Sequence, residues 1–302
     1  MDATPEPQSQ SASRTLGLRL QQSNPSLGNF QSNLDQQLAH AEAAAADGRQ
    51  LVLFPELSLT GYFLKDQVAE LAIELDDPRL HPLRELSQSI TIAIGLVERG
   101  RGDRLYNTLA VFEDGELIHR HRKVHLVTYG MFEEGRDFAE GDRYRAFDCK
   151  HGRFGVLICE DAWHTVGGYL YGLADVDAIL VSSASPLRGL EAARVEGQPS
   201  SSDAVETLLG AQALLFQTYV AYSNRVGWED GIGFGGGSAL FGPDGRQVAR
   251  LDGFEPGHLD VDLSAAALRR ARQATPLRRD ERPSLLLDGL MQHFEEAEAD
   301  LD

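Results

Sequence analysis

The sequence predicts a single α/β or α+β domain containing a mixed sheet or two sheets. Three observations predict it. Apolar strand-like runs alternate with helical periods along most of the chain, two hairpin signals interrupt that alternation, and no linker, composition shift or internal repeat separates residues 15 to 285.

Taken in order, TLGLRLQQ (15–22) alternates as a strand and NPSLGN after it reads as a turn. FQSNLDQQLAHAEAAAADG (30–48) places Phe30, Leu34, Leu38 and Ala41 at helical spacing, with Gly48 as a C-cap. LVLF (51–54) is a short continuous apolar run, the pattern of a buried strand. Helices are expected over 66–74 and 79–89, followed by the strand ITIAIGLVE (90–98). YNTLAVFEDGELIHRHRKVH (106–125) holds Asp114-Gly115 between two alternating runs, a hairpin signal. FGVLIC (154–159) and VDAILVSSAS (176–185) read as buried strands flanking a helix. DAVETLLGAQALLFQTY (203–219) is an amphipathic helix leading into the strand VAYSNRV (220–226). A second hairpin, SALFGPDGRQVARL (238–251), turns at Pro243-Asp244-Gly245, and HLDVDL (258–263) closes the regular part. Residues 1–14, rich in Pro, Ser and Gln, are expected to be a flexible tail, and 286–302 an acidic one.

The composition narrows the function. At 42% hydrophobic and 25% charged, the 302-residue chain has ample apolar material for a core. Its 46 acidic against 28 basic side chains give a net charge of −18, which repels phosphate backbones and anionic lipid. No nucleic-acid or membrane partner is therefore expected; a small-molecule partner is. No apolar run approaches the roughly 18 residues that span a bilayer, and the N-terminus lacks the pattern of a signal peptide, so a cytoplasmic protein is expected. Cys149 and Cys159 cannot form a disulfide framework and match no zinc spacing.

Three segments carry candidate chemistry. In LICEDAW (157–163) an apolar strand ends in Cys159, where α/β proteins place reacting groups; a buried core cysteine is the alternative. LVLFPELSLTGY (51–62) sets Glu56 beside the end of another apolar strand, where desolvation raises a carboxylate toward general-base range; a solvated loop glutamate is the alternative. HRKVHLVTYGMFEEGRDF (121–138) contains Lys123, one of only three lysines beside 25 arginines, so it marks either a site needing a compact ammonium or an ordinary surface lysine.

Together FPEL and TGY around Glu56, HRKVHL around Lys123 and LICED around Cys159 resemble, in order and separation, the carbon-nitrogen hydrolase (nitrilase) superfamily. The flanking YNTLAVF and SASP (183–186) segments match as well, and the resemblance spans residues 15–265. It implies a four-layer α-β-β-α sandwich, usually paired into a homodimer, with no cofactor or metal. It also implies a triad: Glu56 as general base, Cys159 as nucleophile forming a thioester, and Lys123 with the backbone N–H of Glu160 holding the oxyanion. On that reading the ammonium depresses the pKa of the thiol. A second glutamate is expected at Glu134 rather than Glu133, orienting Lys123.

Within the family, LICEDAW, Tyr129 and SASP look most like the glutaminase domains of glutamine-dependent NAD synthetases. The resemblance implies Tyr62, Tyr129 and Ser185 as substrate contacts, with Phe132, Glu160 and Trp163 around them. Those synthetases continue into an ATP-using domain that these 302 residues do not contain, and SPLRGLEAARVEG lacks the lysine-containing run usual after SASP. The expectation is therefore a stand-alone amidase acting on a small linear carboxamide. The alternatives are a nitrilase or a glutaminase subunit feeding ammonia to a separate synthetase.

Two further patterns are discounted. GIGFGG (231–236) satisfies a dinucleotide-binding pattern but precedes a hairpin, not a helix, and is read as a flexible loop. His119 and His121 would share a strand face whereas His125 lies beyond Lys123, and Arg120 and Arg122 would repel a metal cation.

Overall fold

The computed structural model describes residues 15–187 and 200–299. The expected N-terminal tail and the last three residues of the acidic segment lie outside them.

Among the described residues, fourteen strands form two six-stranded sheets and one small hairpin. The first sheet takes β1 (Thr15–Gln22), β2 (Leu51–Leu53), β3 (Thr91–Arg99), β4 (Leu105–Glu113) and β5 (Glu116–Arg122). The second takes β6 (Phe147–Cys149), β7 (Gly152–Ile158), β8 (Ala178–Ser183) and β9 (Tyr219–Asn224). The hairpin pairs β10 (Val226–Glu229) with β11 (Ile232–Gly235); β12 (Ala239–Phe241) and β13 (Gln247–Arg250) extend the second sheet, and β14 (Gly257–Ser264) returns to the first. Their orders are β14-β1-β2-β3-β4-β5 and β13-β12-β9-β8-β7-β6. In each sheet three central strands run parallel, β1-β2-β3 and β7-β8-β9. Strands covered on both faces need no polar side, which is why β2, β8 and β9 are buried along their whole length.

The sheets pack face to face. Leu18, Leu53 and Leu109 of one meet Val156, Leu180 and Leu240 of the other in a shared core. On the outer face of the first sheet lie α1 (Phe30–Ala46), α2 (Val68–Leu71) and α3 (His81–Leu86), with Phe30, Leu34 and Leu83 packed against Val52 and Ile94. Beyond α4 (Glu134–Asp137), a single turn, come α5 (Thr165–Leu173) and α6 (Ser200–Phe216). They cover the second sheet through Tyr171, Leu209 and Ala213. The result is the expected helix-sheet-sheet-helix sandwich in one domain.

The structure departs from the sequence reading in four places. The helices expected over 66–74 and 79–89 shrink to α2 and α3, each entered by a tight 3-10 turn. Helix α2 stops because Ala72 is extended and Ile73 bridges to Glu98. GIGFGG is not a loop: Ile232–Gly235 pairs with Val226–Glu229 around Asp230-Gly231, both with positive φ, a turn signal that the glycine run obscured. The regular part also continues past 263, through α7 (Ala265–Ala274), capped by the Ser264 hydroxyl, and α8 (Pro283–Ala299), so most of the acidic segment is helical. Strand β6 was too short to show a period.

Candidate active site

The candidate residues leave strand ends that converge between the sheets. Glu56 follows β2, Lys123 follows β5 and Cys159 follows β7. The Glu56 loop folds back across β3, where a side chain at Gly95 would put its Cβ 2.5 Å from the Leu57 nitrogen. Only glycine permits that approach, and the Leu59 amide then donates to the Gly95 carbonyl at 3.0 Å. The Ser182 hydroxyl donates to the Phe54 carbonyl at 2.9 Å, tying the second sheet to the residue before Pro55-Glu56.

At the centre, the fully buried ammonium of Lys123 donates to Glu56 Oε1 at 2.8 Å and to Glu134 Oε1 at 2.7 Å. Glu56 also accepts from Asn107 Nδ2 at 2.7 Å and from the Ala184 amide at 2.8 Å. Glu134 takes the Tyr62 hydroxyl and the Val127 amide, while Glu133 is exposed. Burial raises the pKa of Glu56 above its ordinary 4.5, partly opposed by Lys123 and reinforced by the charge of Glu134. Burial alone would lower Lys123, but the two carboxylates hold it well above its ordinary value.

Cys159 adopts the left-handed region at φ 45°, a strained turn for a residue with a side chain, and this swings the chain sharply at the end of β7. Its thiol senses the charges of Glu56, Lys123 and Glu134 and is hydrogen-bonded to Ser183. Burial first, and Glu56 next, push the thiol up to about 12, overriding Lys123. This corrects the expectation of a depressed thiol: burial dominates, and the charge of Glu56 outweighs that of Lys123. The same influences favour the protonated form of the Cys159 thiol.

Behind this centre is a residue the sequence reading missed. Asp161, wholly buried, accepts from the amides of Val124 (3.0 Å), His125 (2.9 Å) and Ile158 (3.1 Å), from His121 Nε2 (2.8 Å) and from the Tyr144 hydroxyl (3.1 Å). It therefore clamps Ile158, the residue before Cys159, to Val124 and His125, the residues after Lys123. Burial acts to raise its pKa, but the hydrogen bonds from His121 and His125 win and lower it. His119 belongs to a different environment, stacked on Phe147 at 4.5 Å. Among the described residues no group of three or more His, Cys, Asp or Glu side chains is arranged to hold a metal ion.

The remaining candidates divide. Tyr62 and Phe132 are buried and packed edge to face at 5.9 Å, with Tyr62 joined to Glu134. Tyr129, 56% exposed, donates to both carboxylate oxygens of Glu160 at 3.1 Å. The Ser185 amide donates to Asn224 Oδ1 at 2.8 Å, and Tyr222 is hydrogen-bonded to both Ser183 and Ser185. Trp163 is exposed at the end of the 3-10 turn that carries Cys159. Asn107, Ser183 and Tyr222 were also missed. Asn107 falls inside YNTLAVF, where a polar residue in an otherwise buried strand was the available signal.

The comparisons with known proteins agree with this geometry. The family model described as carbon-nitrogen hydrolase matches residues 18–273. A glutamine-dependent NAD(+) synthetase of Acinetobacter baylyi is 29% identical over 244 residues, covering 80% of this chain and 43% of the relative. The chain thus spans less than half the length of that relative. A hydrolase of Pseudomonas protegens is 27% identical and covers 91% of this chain and 92% of its own length. Among solved structures, an amidase mutant from Nesterenkonia sp. AN1 superposes with a TM-score of 0.75 at 26% identity, covering 95% of this chain and 99% of that one; it shows covalent addition of the acetamide moiety of fluoroacetamide at the active-site cysteine. This chain belongs to the carbon-nitrogen hydrolase family, hydrolases acting on carbon–nitrogen bonds.

Proposed function

We propose that this protein is an amidase cleaving a small linear carboxamide through a thioester on Cys159. The observation that carries this reading is the placement of the Cys159 thiol, on a left-handed turn, within the field of the hydrogen-bonded Glu56, Lys123 and Glu134. Glu56 takes the thiol proton as sulfur attacks the amide carbon, and the developing oxyanion is held by Lys123 and the Glu160 amide. The tetrahedral adduct collapses as Glu56 returns the proton to the nitrogen, and ammonia leaves. Glu56 then deprotonates a water that attacks the thioester, giving the carboxylate and restoring the thiol. Glu134 holds Lys123 in place, and its bond to Tyr62 joins this centre to the pocket wall. Tyr129, Phe132, Glu160, Trp163 and Ser185 are the proposed substrate contacts. The covalent cysteine adduct of the Nesterenkonia amidase supports the thiol step.

Glutamine is a second substrate candidate, because the matched relatives include glutamine-dependent NAD synthetases. Such a glutaminase would pass its ammonia to a separate partner. Ammonia release screened over glutamine, asparagine, aliphatic amides and nitriles separates these readings from a nitrilase. Release that persists in Cys159→Ala would sink the mechanism. Assembly as a homodimer through the helical layer is proposed with it, since Val166, Leu170 and Leu173 of α5 and Leu214 and Leu215 of α6 are exposed. Light scattering at the mass of one chain would overturn that assembly.

A further inference from the structure

Outside the active site, a basic concavity of about 430 Å³ opens along β5, which lies at the end of its sheet. Arg120, Arg122 and His119 line it from the strand, and Arg143 and Arg145 face them from the following loop. Arg120 and Arg122 share one carboxylate, that of Glu98, at 2.9 and 2.6 Å. Arg143 pairs with Asp142, and among the described residues Arg145 has no ion-pair partner. Four guanidiniums thus face two carboxylates, an excess of two positive charges gathered in one hollow of a chain whose net charge is −18. Such a cluster is repulsive unless something negative completes it. A second, independent feature is the ring of His119, whose Nε2 is buried without a hydrogen-bond partner among the described residues. Burial keeps that imidazole neutral, with its pKa lowered to about 4.

We propose that this concavity binds a phosphate dianion, free or as the phosphoryl group of a small molecule. The charge excess matches a dianion, and planar guanidinium forks suit tetrahedral oxyanions. Leu117 and Ile118 supply an apolar wall for an organic substituent, and the volume falls within the range of small-molecule sites, about 300 to 1,000 Å³. Charged side chains also keep free sheet edges from pairing with other chains, but that duty needs neither a hollow nor an unpartnered buried nitrogen. The position adjoins the catalytic framework, since His121 lines the hollow and bonds Asp161, and Arg122 precedes Lys123. The proposal stands independently of the amidase reading.

The test is calorimetric titration of the full chain at low ionic strength with inorganic phosphate, glycerol 3-phosphate and glycerol. Saturable binding of either phosphate, with none of glycerol, is expected, and the ratio of the two affinities tells free phosphate from a phosphorylated molecule. Arg145→Glu, and separately the exposed-loop pair Arg143→Ala with Arg145→Ala, should weaken it about tenfold or more, the worth of a lost charge-assisted hydrogen bond. The His119 ring resonances should move during the titration. No saturable binding up to about 10 mM would overturn the proposal. So would wild-type affinity in Arg145→Glu, or variants whose one defect is self-association, which would make the arginines guards of the edge.

Discussion

Two carboxylates of the candidate site, Glu56 and Asp161, are buried alike, exposed by 1% and 0%, yet their surroundings are built for opposite work. Glu56 accepts from one ammonium, one amide side chain and one backbone N–H, shares its ammonium with Glu134, and is raised in pKa. Asp161 accepts from five donors, three of them backbone amides, has no second carboxylate competing for them, and is lowered. Equal burial therefore does not fix a carboxylate's role. The supply of donors decides: a carboxylate short of them can take a proton, and a saturated one anchors backbone.

The comparison breaks most sharply at the proposed reacting pair. Cys159→Ala should remove ammonia release altogether, and Glu56→Gln should lower kcat/KM by about 10²- to 10⁴-fold, the span of a lost general base. Cys159→Ala should leave the thermal transition near that of the parent, and Glu56→Gln, with three donors to disturb and not five, should lower it less than Asp161→Asn does. If Glu56→Gln kept most of its activity, the assignment of the base would fail. Asp161→Asn should do the reverse in kind. Its amide turns donors toward N–H groups, costing about 3 kcal/mol and roughly 5–10 °C in Tm. Activity should fall only as the Ile158 and Val124 backbones loosen. A variant as stable as the parent would show that the five bonds are not the anchor proposed here.

Acid sharpens the same contrast. The basic form of Glu56 is lost as pH falls through its raised pKa, so the acid limb of kcat/KM should lie above the ordinary 4.5. Glu134 contributes to that raising, so Glu134→Gln should shift the limb toward lower pH, alongside whatever rate it costs. For Asp161 the folded-state pKa is below the ordinary 3.8. Its stabilisation is thus complete above that value and is lost as pH falls further. The stability gap between parent and Asp161→Asn should be constant above pH 3.8 and close below it, and a gap that widened in acid would contradict the linkage.

Much of this was legible in the residues. Apolar runs ending in Glu56 and Cys159 fixed where two strands stop, and their buried, parallel pairing explains why the runs were continuous rather than alternating. The charge balance was not legible. A lysine near a cysteine reads as a thiolate stabiliser until the structure shows two carboxylates sharing its ammonium. Asp161 stayed hidden because its five donors come from segments as much as 40 residues away, a closure no local pattern records. Asp230-Gly231 had the right turn chemistry, but the glycines after it masked a strand.

The smallest effects belong to the other two lysines, which complete the contrast between a buried and a solvated cation. Lys65 pairs with Asp230 and Lys150 with Asp114, each pair about half exposed or more on both sides. Exposed pairs give back in side-chain entropy and screening most of what they gain, so their worth is about 0 to 1 kcal/mol. Lys65→Ala and Lys150→Ala should therefore leave kcat/KM unchanged and the thermal transition indistinguishable from the parent's. Lys123→Ala, by contrast, leaves Glu56 and Glu134 facing each other without a cation between them. Both carboxylates cannot stay ionised at that distance in a dry site, so one must take a proton and the base is compromised along with the oxyanion contact. If Lys65→Ala matched the loss in Lys123→Ala, burial would not be what distinguishes Lys123, the proposed catalytic lysine, from its two surface counterparts.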